Sequence, residues 1–146
     1  MRHLIITTCI SLLTLGLQAQ STYNAQTEMQ EDMRIIVNTL KLDTENIFKL
    51  GPIMEERKET KSKLAGQIKA VNERKAILDS GMNDQVAQLD EMAATFRGQM
   101  VEADQAAFVK VDALLTADQK KTFADQVKPQ LAEANKKRMA EKPVSK

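Results

Sequence analysis

The chain has 146 residues, of which 42% are hydrophobic, 28% charged and 3% aromatic, with 21 basic residues against 20 acidic. That length suits one domain, and the balanced charge gives no global attraction to nucleic acid or to an anionic membrane. Five Gly and three Pro are too few for a turn-rich sheet protein, whereas abundant Ala, Gln, Glu, Lys, Met and Leu suit long helices.

The segment Met1 to Gln20 is read as standing outside the fold. Arg2 gives a positive start, Leu4 to Leu17 is largely apolar, and Leu17-Gln18-Ala19 ends in a small residue. That is the layout of a secretory signal peptide (1–19) cleaved after Ala19. The apolar run is shorter than the roughly 18 residues that span a bilayer, so no stable membrane insertion is expected after cleavage. Cys9 follows Ile6-Thr7-Thr8, a poor acylation context, and is read as a small apolar residue of the signal. The expected mature chain, 20–146, then has neither Cys nor His. Losing Arg2 leaves 20 basic against 20 acidic residues. No disulfide is possible, so stability must come from packing, and the expected location is the periplasm.

One all-helical domain follows, expected as a long antiparallel hairpin with flanking shorter helices. The first helix, roughly Gln26 to Leu40, carries Met29, Met33, Ile36, Val37 and Leu40 on one stripe. Leu42-Asp43-Thr44 breaks it, and Asp43 suits the cap of the next helix. That second helix runs from about Glu45 to Asp79, with a stripe through Leu50, Met54, Arg57, Lys61, Leu64, Ile68, Val71, Lys75 and Leu78. Gly51-Pro52 is expected to kink it or to begin a new segment. Ser80-Gly81 supplies a stop, and Asn83-Asp84 a restart.

The third helix has the cleanest pattern, through Val86, Leu89, Ala93, Phe96, Met100, Ala103, Ala107, Val111 and Leu114, close to a coiled-coil heptad. Thr116 opens the fourth, which Phe123, Val127 and Leu131 continue, with Pro129 expected to bend it. A basic tail is expected to fray from about 136. Charge is segregated in blocks. Residues 57–75 carry a net +5, 79–104 a net −5 and 120–146 a net +5. Either the basic second helix faces the acidic third, or part of the basic surface meets an acidic partner.

No phosphate loop, nucleophile–base arrangement or zinc spacing is present, so neither an enzyme nor a cofactor or metal site is expected. One Tyr and no Trp leave no base-stacking platform, and no nucleic-acid partner is expected.

The most informative motif is Leu115-Thr116-Ala117-Asp118-Gln119, in which Thr116 and Gln119 have the spacing of a capping box. With the signal segment and the helical layout, it resembles the Leu-Thr-x-x-Gln motif of the Spy/CpxP family of exported envelope-stress proteins. A second motif-like site lies 73 residues upstream at Leu42, Asp43 and Asn46, and the same offset pairs Leu50 with Phe123 and Met54 with Val127. There Asp stands in the Thr place and Asn in the Gln place. The resemblance implies a cradle-like homodimer that acts as an ATP-independent chaperone for unfolded envelope proteins. It equally admits a regulator bound to one envelope partner, such as a sensor-kinase domain; a purely structural helical protein is the third reading. A second copy is also expected because so extended a seam is hard to bury in a mature chain this short.

Leu50, Met54, Arg57, Lys61, Leu64, Ile68 and Lys75 form the candidate client-binding stripe. Its basic members either lay their stems along a dimer seam or line an amphiphilic concave face. The methionines likewise serve either as core filler or as an adaptable binding surface.

Overall fold

The computed structural model describes residues 25–78 and 82–140. The expected signal segment with His3 and Cys9, the Ser80-Gly81 stop and residues 141–146 lie outside them. Among the described residues the fold is all-α, with no strand. Helix α1 covers residues 25–40, α2 Thr44–Ala76, and α3 Asn83–Asp112. Helix α4, Ala117–Thr122, continues through a π-helical turn, Phe123–Val127, into α5, Lys128–Ala140.

These elements form two compact units. One holds Glu56–Ala106 with the first described residues of α1; the other holds Thr27–Glu55 with the chain from Ala107 onward. In the first unit, parts of α2 and α3 run antiparallel around a small core of Val71, Leu89 and Ala93, edged by Leu78 and Phe96. Leu64 is buried as well.

The second unit has the larger core. Ile36 from α1, Leu50 and Met54 from α2, Val111 from α3, and Phe123 and Val127 from the π-helical turn are all fully buried in one cluster. Phe108 meets Phe123 edge-on, ring centroids 5.8 Å apart. Lys128 Nζ lies 5.4 Å from the centroid of the Phe123 ring. The stripes read at helical spacing therefore face inward in each unit, because burying them is the main favourable term available to a chain with no cross-links.

Three local expectations change, and the one at Pro129 gains a detail. Helix α2 runs through Pro52 without a break, so no new segment begins there. Pro52 costs the hydrogen bond to the Phe48 carbonyl, but Leu50 and Met54 on either side are fully buried and hold the helix together. Helix α2 also ends earlier than expected, at Ala76, in tight turns that Ile77 and Leu78 close by donating to the Arg74 and Lys75 carbonyls. Pro129 does not interrupt its helix. The π-helical turn precedes it, and the Lys128 N–H donates to the Phe123 carbonyl five residues back, so the wide turn accommodates the ring. Finally, helix α5 continues past Lys136 to Ala140, because Arg138 is anchored on Glu31 and Asp32.

The π-helical turn places Phe123 at the centre of the larger core. Phe123→Ala is expected to cost about 3–5 kcal/mol, read from urea unfolding; a loss below about 1 kcal/mol would contradict the packing described.

Candidate functional site

The Leu115–Gln119 motif builds a complete capping box. Thr116 Oγ1 accepts from the Gln119 N–H at 3.4 Å, and Gln119 Oε1 accepts from the Thr116 N–H at 3.1 Å. Gln119 then does a second job: its Nε2 donates to the Leu40 carbonyl at 3.3 Å, in the last turn of α1. That turn closes with Lys41 at φ 50°, left-handed without being glycine, and the Leu42 N–H donating to the Val37 carbonyl at 3.3 Å. The pattern is a Schellman stop, which satisfies a carbonyl left orphaned at the helix end.

The upstream site builds half of the same device. Asp43 Oδ1 accepts from the Asn46 N–H at 2.8 Å, capping α2. Leu42 and Leu115 are both buried in the larger core, as are the offset pairs Leu50 with Phe123 and Met54 with Val127. The 73-residue offset thus relates buried positions that meet in one cluster.

The candidate stripe is not an open face. Leu50, Met54 and Leu64 are buried, Ile68 and Lys75 half-buried, and even Arg57 and Lys61 are only 6% and 5% exposed. Its basic members are engaged with α3. Arg57 Nε lies 2.7 Å from Asp104 Oδ1, Lys61 Nζ 3.2 Å from the same oxygen, and Lys75 Nζ 2.7 Å from Asp90 Oδ1. The segregated charge blocks are therefore complementary across the first unit. Leu50 and Met54 lie in the second unit and the rest of the stripe in the first. Charge reversal at Arg57 or Lys61 would break buried pairs and report on stability rather than on binding.

Two carboxylates and the cation that joins them were not singled out from sequence. Asp32 is fully buried in the second unit, and Arg138 reaches it with Nη1 and Nη2, each 3.0 Å from Oδ1. Nη1 also lies 2.8 Å from Glu31 Oε2. Burial alone would lower the Arg138 pKa, but the charge of Asp32 and the hydrogen bond to it, with Glu28 and Glu31, lift it above the ordinary arginine value. The available signal was position: Asp32 falls at helical spacing between Met29 and Ile36, where an acidic residue must bring a partner.

What remains open lies elsewhere. A shallow groove in the first unit runs between α2 and α3, with Leu64, Phe96 and Ala103 in its floor and Lys63, Gln67 and Glu102 among its polar lining. The first unit also exposes Ile77, Met82, Met92 and Val101, and the second Phe48 and Val109. Among the described residues no group of acidic, His or Cys side chains could hold a metal ion. No described helix is long and apolar enough to cross a membrane.

Thr116→Ala removes the cap and is expected to cost about 1 kcal/mol, whereas Thr116→Ser, which keeps the hydroxyl, should cost far less; equal losses on thermal melting would count against the capping box. Arg138→Ala strands the buried Asp32 and should cost about 3 kcal/mol. Because the folded-state pKa of Arg138 is raised, its contribution is complete below the unfolded value and is lost only as pH rises through the folded one. The difference between parent and Arg138→Ala, measured by urea unfolding, should therefore not fall between pH 7 and 9. A fall across that range would refute the assignment.

No family model, no curated protein and no solved structure matches the chain.

Proposed function

We propose that the chain is an exported, ATP-independent chaperone-like protein of the Spy/CpxP type, which acts in the periplasm as a homodimer and shields unfolded envelope proteins. The observation that supports this reading most is the doubled turn. Thr116 with Gln119 caps α4 and Asp43 with Asn46 caps α2, and the leucine before each cap enters the same core. That is the specific feature on which the resemblance rests, in a chain whose first residues have the layout of a secretory leader.

Burial of the basic–apolar stripe moves the proposed client contacts to side chains that stand in solvent. In the first unit these are Ile77, 81% exposed, and Val101; in the second they are Phe48, 76% exposed, and Val109. Phe48, Val101 and Val109 each adjoin a charged residue, Lys49, Glu102 and Lys110, that keeps the surface soluble while leaving an apolar contact for an unfolded chain, so many weak clients fit better than one tight partner. The regulator reading predicts the reverse, a single stoichiometric partner retained in a pull-down.

Purified protein, recovered from the envelope of cells expressing the whole chain, should suppress aggregation of an unrelated unfolding protein without ATP, at ratios near one to one. Phe48→Ser with Val109→Ser should weaken suppression several-fold without lowering the melting temperature. No suppression at about tenfold excess would overturn the chaperone reading.

A further inference from the structure

We propose that the groove of the first unit is the seam between two copies of this chain, packed with the two-fold axis running along the helices. The proposal rests on the homodimer reading and locates its interface. The floor is apolar, with Leu64 from α2 and Phe96 and Ala103 from α3. Met92, 47% exposed, continues the α3 side of that face one turn beyond Phe96.

The rims carry opposite charges: Lys63 on α2 and Glu102 on α3. Both are exposed, and neither has an ion-pair partner among the described residues. Their relative height follows from the ion pairs already described. Lys61 sits opposite Asp104 and Lys75 opposite Asp90. Stepping two residues up one antiparallel helix and two down the other sets Lys63 level with Glu102.

A two-fold contact repeats every interaction, so the occupant's charge order decides which axis is allowed. With the axis along the helices, α2 of one copy lies over α3 of the other at the same height. Each Lys63 then meets the second copy's Glu102, twice over. With the axis across the helices, α2 would lie over α2 and bring like charges together. Charge complementarity thus selects one of the two face-to-face arrangements, which closes two hairpins into a four-helix bundle. In that bundle the half-buried Phe96 and Ala103 and the exposed Met92 of α3 are covered by α2 of the other copy.

Sedimentation of the purified protein tests this with Lys63→Glu, Glu102→Lys and the double exchange. Both positions are exposed and unpaired within the chain, and a circular-dichroism melt checks that each variant stays folded. Each single reversal turns two attractions into two repulsions and should weaken the dimer about tenfold or more. The double exchange restores both attractions and should return affinity to within about threefold of the parent. A dimer insensitive to the single reversals, or a double variant as weak as the singles, would overturn this seam and leave the homodimer reading standing. A monomer up to about 100 μM, far above a micromolar constant, would overturn both.

Discussion

Gln119 uses both ends of its side-chain amide on backbone groups, and the second unit depends on that. Its oxygen accepts from the Thr116 N–H and so starts α4; its nitrogen donates to the Leu40 carbonyl and so ties that start to the end of α1. Two helix termini, each with orphaned backbone groups, thereby satisfy one another. Leu42 and Leu115, next to these termini, are delivered into one core, and Leu50, Met54, Phe123 and Val127 follow at helical spacing. A short polar motif has large consequences because it sits where two chain reversals meet.

In the first unit the governing constraint is different. Its apolar core is small, and the antiparallel helices are registered by charge: Arg57 and Lys61 on Asp104, Lys75 on Asp90. Desolvated pairs of this kind add little net stability over an apolar substitute, but leaving one partner alone is costly, so they penalise a slipped register. Arg138 does similar work in the second unit, holding the end of α5 to the buried Asp32 beyond its last buried apolar anchor, Leu131.

Helix class, the stripes and the capping residues were legible in the sequence because they depend on spacing of three and four and on local side-chain chemistry. Thr116 and Gln119 could be assigned to one capping box from their spacing alone. What lay against a stripe was not legible. Arg57 and Lys61 interrupt an apolar series equally well whether they border an open face or meet an acid from another helix, and only the fold supplies Asp104. Nor could Pro129 reveal that a π-helical turn would absorb it, or Asp32 that its cation would come from α5. The partners of Arg57, Lys61 and Asp32 are distant in sequence, where periodicity is blind, and the π-helical turn is a local departure from the period itself.

With the stripe buried, any surface for unfolded chains must be made of the side chains left in solvent. Methyl NMR tests that claim directly, since Met54 is fully buried whereas Met82 and Val101 are 41% and 55% exposed. On addition of an unfolded client, the Met82 and Val101 methyl resonances should shift or broaden while Met54 stays unchanged. Perturbation of Met54 with Met82 and Val101 unmoved would contradict the account, because the client would then be reaching the stripe that the fold has closed.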